Sequence, residues 1–360
     1  MAERPTAQAF APDYKRILLI RTDRVGDLVL STPAIASFRR SWPAARIEVL
    51  VNDYNEPVVR HNPDLDAVHA VPRRAGWRES RAAARELGAG ADLAVALAPR
   101  TADIQLCGWS RAARRIGYVY RRRFVARVGA RLMLTDVGIS DADPALAERH
   151  PEMPIAHEVH QVQSLVALAG GRSFSDALVL RYPDADASFA EATVPEETVA
   201  INLAPRWFAP DFGFDAVAAL IRRIAQGHRN VIVPYGSQMV DAATALRGAV
   251  RVSNVAWLGE QPLLRWAAVL GRCKTVIVVD SGTTHVAAAV GVPVVAVYER
   301  KWYNLTSREW RPWRVPHAVL CKPPLGSDPR PLIEDIASAA RALSGARDAR
   351  ERCSGSTEGR

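Results

Sequence analysis

Two short segments, one near each end of the 360-residue chain, carry residue types that can do chemistry. The first is Arg21-Thr-Asp-Arg-Val-Gly-Asp27, where Gly26 permits a tight turn and Asp27 opens a helix. A carboxylate there is favourable as a cap or first-turn charge. The same group can act as a general base, taking the proton from a hydroxyl as it attacks an anomeric carbon. The second is Asp280-Ser-Gly-Thr-Thr-His285, in which Ser281, Gly282, Thr283 and Thr284 make a small, donor-rich loop at a helix N-terminus. Backbone N–H groups and the helix dipole make such a loop a cradle for a diphosphate. His285 reads equally as a phosphate donor or as a capping or packing side chain. Neither GK[ST] nor GxGxxG is present, which weakens NTPase and dehydrogenase readings.

These segments need elements to hold them. Arg16–Arg21 is an apolar run suited to a buried parallel strand, and the pattern after Asp27 predicts a helix ending near Arg40. Pro33 is placed inside or near the first turns of that helix. Further strands are predicted at Arg46–Val51, Leu65–Val71 and Leu93–Ala98, and a helix at Glu158–Leu168. Arg181–Thr193 is polar and weakly patterned and is read as the domain junction. Strands then recur at Val199–Leu203, Asn230–Pro234, Val255–Leu258, Thr275–Val279 and Pro293–Tyr298, with helices between them. Alternation of this kind predicts an α/β architecture of two doubly wound parallel sheets. The expected domains are a flexible leader 1–14, an N-terminal domain 15–185, a C-terminal domain 195–345 and a flexible tail 346–360. Two domains also suit the length.

Composition narrows the partners. The net charge is +9, and from Arg100 to Arg131 there are nine arginines and one acid, Asp103. Such a block suits nucleic acid, phosphorylated lipid or an acidic sugar, or is simply a solvated surface. Zinc-finger spacing and RNP aromatics, the module signatures of nucleic-acid binding, are missing. Cys107, Cys273, Cys321 and Cys353 form no CxxC pair, so neither a zinc site nor a disulfide framework is expected. No apolar run reaches membrane-span length, and the leader has no signal-peptide core, so a cytoplasmic protein is expected.

RILLIRTDRVGDLVLSTPAIASFRRSWP resembles the opening of glycosyltransferase family 9, the ADP-heptose:lipopolysaccharide heptosyltransferases. VVDSGTTHVAAAVGVPVVAVYE resembles that family's second hallmark, and HEVHQVQSLVALAG and VAINLAPRW are similar to segments between them. The resemblance implies a GT-B fold, two Rossmann-like domains facing a central cleft. It implies inverting transfer of a heptose from an ADP-activated donor to a lipid-linked glycan, with no metal or other cofactor. In that reading Asp27 is the catalytic base. Asp280, Ser281, Gly282, Thr283, Thr284 and His285, with Arg206 and Gly236, bind the donor. Arg24, Arg100, Arg121 and Arg122 meet an anionic acceptor, and peripheral contact with the inner membrane is allowed. Nucleic acid is not expected as a partner. The chain departs from the family where a lysine commonly follows the tryptophan: APRWFAPDFGFD has none, leaving Arg206 as the local cation. The usual Phe-Gly-Pro-Thr after the last strand is Tyr298-Glu-Arg-Lys-Trp302 here. Trp302, Trp310 and Trp313, interleaved with arginines, read as a packed loop, a stacking platform or a membrane-interface cluster. A non-catalytic sugar-nucleotide binder, a glycosyltransferase of different donor and a nucleotide-sugar epimerase stay open as alternatives.

Overall fold

The computed structural model describes residues 12–140, 144–152 and 154–355, with side chains over 12–140, 147–152 and 154–345. The first half runs β1 (Arg16–Ile20), α1 (Val25–Ser41), β2 (Arg46–Asn52), β3 (Ala67–Val71), α2 (Trp77–Gly88), β4 (Leu93–Ala96), α3 (Thr101–Ser110), β5 (Arg114–Tyr120), α4 (Phe124–Met133), β6 (Asp136–Ser140), α5 (Pro144–Arg149) and α6 (Glu158–Leu168). The second runs α7 (Asp184–Thr193), β7 (Thr198–Ile201), α8 (Gly213–Gly227), β8 (Asn230–Pro234), α9 (Val240–Val250), β9 (Val255–Leu258), α10 (Leu263–Arg272), β10 (Thr275–Val279), α11 (Thr283–Ala289), β11 (Val294–Tyr298), α12 (Tyr303–Glu309), β12 (His317–Cys321) and α13 (Arg330–Gly355).

Each half builds one six-stranded sheet, ordered β3-β2-β1-β4-β5-β6 and β12-β11-β10-β7-β8-β9. Neighbouring strands are parallel throughout both sheets. Read from its own first strand, each sheet has the same order, and it reverses direction between β1 and β4 and between β7 and β10. At such reversal points, outside the carboxyl ends of the strands, open α/β sheets bind ligands. The central strands are apolar on both faces because helices cover both: Ile17–Ile20 and Val276–Val279 are all buried.

Helix α1 keeps Pro33 in its interior, deeper than its first turns. The ring removes the N–H that would bond the Val29 carbonyl, and Thr32 Oγ1 donates to that carbonyl instead at 2.8 Å. The segment read as a loose junction is helix α7. Its acidic first turn, Asp184 and Asp186, favours a helix N-terminus, and Arg265 of α10 reaches Asp186 at 3.0 Å and stacks over Phe189. Strands β5, β6 and β12 are additional to those the sequence pattern predicts. β5 lies hidden in the arginine block, β6 is a sheet edge whose exposure dilutes the apolar signal, and β12, the other edge, is a short run of five residues.

At the ends, Pro12–Tyr14 are not loose: Tyr14 is buried, and Trp42 Nε1 donates to the Pro12 carbonyl at 2.6 Å. Residues 1–11 of the expected leader lie outside the described residues. Residues 346–355, expected as tail, continue α13, and 356–360 lie outside the described residues. After α12 the chain folds back on the first half. Gln161 Nε2 donates to Glu309 at 2.6 Å, and Trp313 packs its ring 4.4 Å from that of His157. Trp313 is therefore a packing anchor between the halves, while Trp302 is exposed beneath Lys301.

Candidate functional site

At the carboxyl end of β1 the chain buries a cation. Arg21 is 2% exposed; its guanidinium pairs with Asp23 at 3.0 Å and Glu158 at 2.8 Å, and donates to Ser31 Oγ and the Leu97 carbonyl. Tyr118 adds a hydroxyl donor to Glu158 at 3.2 Å. The loop itself is pinned by Asp103, whose Oδ1 accepts from the Thr22 N–H and hydroxyl, and by Asn52, which donates to the Thr22 carbonyl. The acid in the arginine block thus faces inward. Asp27 is in the first turn of α1, and Asp23 lies in the loop just before that helix. Burial, then the Asp23 charge, push the Asp27 carboxyl up to about 7, against the opposing pull of Arg21. A carboxyl of that affinity is matched to accepting a proton at neutral pH. Glu309, also deeply buried, is pushed well above the carboxylate range by burial and by Glu158.

At the carboxyl end of β10 the chemistry is different. Asn202, after β7, donates to Thr283 Oγ1 at 3.1 Å and sets that hydroxyl. The Thr284 and His285 amides turn back to the Ser281 and Gly282 carbonyls, so they are not free to cradle an anion. Among the side chains, Ser281 Oγ, Thr284 Oγ1 and His285 Nδ1 are buried with no hydrogen-bond partner. Three orphaned polar atoms in one loop are a costly arrangement for a purely structural turn. Burial drives the His285 imidazole down to about 3, so it is neutral and offers a donor, not a charge.

The two loops meet. A methyl added at Gly26 would lie 2.7 Å from His285 Cδ2 and 2.9 Å from Gly282 Cα, so only glycine fits between α1 and α11. Beside this junction opens a cleft of about 740 Å³, lined by Val25, Asn202, Gly236, Ser281, Gly282 and Thr283 among others. That volume is in the range of small-molecule sites.

The donor candidates divide accordingly. Ser281, Gly282, Thr283 and Gly236 line the cleft, whereas Asp280, Thr284 and His285 stand behind or beside it. Arg206 is turned toward the loop: it pairs with Asp280, donates to the Asp280 carbonyl at 3.0 Å and approaches Glu299 at 4.0 Å. A lysine does reach this segment, from β12. Lys322 Nζ is fully buried, donating to the Arg206 carbonyl and, at 2.8 Å, to Asp211. It holds the loop in place, outside the residues lining the cleft. Arg24 is exposed at the start of α1, near enough to act on both Asp27 and Asp280. Arg100 follows β4, while Arg121 and Arg122 follow β5, all exposed at the carboxyl side of the first sheet.

Gln238, beside Gly236 and readable from the sequence as a polar donor contact, lines the cleft; cleft residues beyond the sequence candidates include Asp53, Tyr54, Arg60 and His61 from the first half, and Asn202, Tyr235 and Trp266 from the second. Their one legible signal is position, since most follow the carboxyl ends of β2, β7 and β8.

The family model described as "Glycosyltransferase family 9 (heptosyltransferase)" matches residues 149–330, just over half of the chain. The chain belongs to glycosyltransferase family 9. This family 9 glycosyltransferase is similar to lipooligosaccharide heptosyltransferase 2 of Haemophilus ducreyi, 22% identical over 79% of this chain and 83% of that protein. It is also similar to lipopolysaccharide heptosyltransferase 2 of Escherichia coli K12, 23% identical over 79% and 82% of the two chains. Among solved structures it resembles a family 9 glycosyltransferase from Veillonella parvula, with a TM-score of 0.74 at 19% identity over 94% and 99% of the chains. E. coli ADP-heptose heptosyltransferase II superposes with a TM-score of 0.69 at 18% identity, over 92% and 99%. The family 9 enzyme thus has the two-sheet GT-B fold that its motifs imply.

Proposed function

We propose that this glycosyltransferase moves a heptose, or a similar sugar, from an ADP-activated donor to a lipopolysaccharide-core or related glycan, with inversion and without a metal. The observation that carries this reading is the meeting of the Asp27 turn and the Ser281–His285 loop at Gly26 and Gly282. Ser281, whose hydroxyl is unpaired, lines the cleft beside this junction, as does Val25, two residues before Asp27. Asp27 takes the proton of the acceptor hydroxyl, whose oxygen attacks the anomeric carbon from the face opposite the diphosphate. The bond from that carbon to the diphosphate oxygen breaks, and the leaving group keeps the electron pair. Ser281 and Thr283 hydroxyls, with Thr284 and the neutral His285 behind them, stabilise its charge. Arg24, between the two loops, and Arg100, Arg121 and Arg122 at the carboxyl side of the first sheet receive an anionic acceptor. ADP as the nucleotide is supported by relatives, one of which, an E. coli heptosyltransferase, is solved with ADP. A cytoplasmic location belongs to the same reading. In the described residues no helix is long and apolar enough to cross a membrane.

The test pairs binding with turnover. In a thermal-shift series ADP should stabilise the protein more than UDP or GDP. Asp27→Ala should keep that shift while losing transfer to acceptor. Equal stabilisation by all three nucleotides would remove the ADP assignment, and wild-type turnover by Asp27→Ala would remove the mechanism.

A further inference from the structure

Helix α4 exposes the face that a helix on a sheet normally buries. Phe124 is 71% exposed, Val125 83%, Val128 43% and Leu132 80%, and of its ten residues only Ala130 is buried. Positions 124/125, 128 and 132 recur at helical spacing, so the four side chains form one apolar stripe. Between α4 and the start of α3 lies an apolar groove of about 580 Å³, with Ile104, Phe124, Val125 and Met133 on its walls. A contiguous exposed patch of large apolar side chains is uncommon on a protein that meets only water.

The stripe is rimmed by positive charge. Arg121, Arg122 and Arg123 enter the helix, and Arg127 and Arg131 lie one and two turns along, beside the apolar residues. The acid of this span, Asp103, is buried against Thr22, so nothing negative in the span offsets the arginines at the surface. Arginine alone suits any polyanion. An apolar stripe framed by arginine suits a surface that is hydrocarbon inside and anionic at its boundary.

We propose that α4 is a membrane-docking helix that seats the enzyme on an anionic phospholipid surface, with Phe124, Val125, Val128 and Leu132 immersed and the arginines among the headgroups. The placement is productive. α4 follows the carboxyl end of β5, and α3 is tied through Asp103 to the loop that carries Asp27. Docking along α4 therefore sets the lipid against the flank of the sheet whose carboxyl ends lie near Asp27. The inference rests on α4 and the arginines that flank it; it shares Arg121 and Arg122 with the acceptor reading above and does not depend on the donor.

Cosedimentation of the full chain with phosphatidylcholine vesicles, with and without phosphatidylglycerol, tests it. The wild type should bind the anionic vesicles and not the neutral ones, and added salt should weaken the binding. The double variant Phe124→Ser, Leu132→Ser should bind them at least roughly ten-fold more weakly. Its far-UV circular dichroism and its stabilisation by ADP should stay those of the wild type, since both side chains are exposed and outside the cleft. Arg122→Gln with Arg131→Gln should cost about five-fold per arginine. Failure of the wild type to bind anionic vesicles overturns the proposal, as does undiminished binding by the double serine variant. Retention on duplex DNA without vesicle binding would reassign the arginines to nucleic acid and overturn it too.

Discussion

The reversal points of the two sheets share a strand order and carry opposite chemistry. The first, after β1, is built of charge: Arg21 buried among Asp23, Glu158 and the nearby Asp27, with Asp103 fastening the loop. The second, after β10, is built of neutral donors: Ser281, Thr283, Thr284 and an uncharged His285, with its ion pair, Arg206–Asp280, set to one side. More carboxylates than cations in a buried cluster raise the proton affinity of the carboxyl that burial already disfavours as an anion, and the result is a base poised near neutrality. In the function proposed above, the unpaired Ser281 and Thr284 hydroxyls are the donors left over for phosphate oxygens. In that reading one topology would serve two tasks, set by the side chains grafted at its reversal points.

The comparison can be broken at either end. The largest effect is expected from Asp27→Ala, which should lower kcat by about 10²–10⁴-fold while leaving ADP binding near the wild-type value. A comparable loss of ADP binding would merge the two roles. Next, Ser281→Ala combined with Thr284→Val should weaken ADP binding by roughly 10- to 100-fold by calorimetry. The stability of the unliganded variant should hold or rise, because the deleted hydroxyls have no partner. A loss of stability instead would make these hydroxyls structural.

The pH profile sharpens the charged half. Only ionised Asp27 accepts a proton, and its affinity is raised to about 7. The kcat/KM should therefore fall about ten-fold per unit below pH 7 and level off above it. Asp23→Asn removes a repulsion and should move that fall toward lower pH. Linkage gives the matching sign for stability. A carboxyl raised from 3.8 to about 7 costs the folded state free energy as pH climbs through that window. Asp27→Asn should therefore raise Tm at pH 8 and leave it unchanged near pH 3. The junction between the halves should respond more modestly: Gly26→Ala should cost about 1–3 kcal/mol in denaturant unfolding, since the added methyl meets Gly282 backbone. The smallest effect is expected from a chelator, which should leave transfer unchanged.

The sequence by itself determined the apolar central strands, the α6 helix and the two loops that carry Asp27 and Ser281. These signals are local: an unbroken apolar run, a glycine turn and a cluster of small donors each lie within a few residues. Edge strand β6 and the helix α7 escaped because partial exposure gives them polar sequences, while β12 is a short apolar run whose pairing on β11 only the fold shows. What only the tertiary structure decided is which groups meet. Arg21 and Glu158 stand 137 positions apart and become partners because α6 packs against α1, whose preceding loop carries Arg21. Lys322 and Asp211 meet because β12 brings a lysine under the loop after β7, where Arg206 alone had seemed available. The proton affinity of Asp27 belongs to the same class. It depends on burial and on charges brought in by folding, and a carboxyl in sequence carries neither.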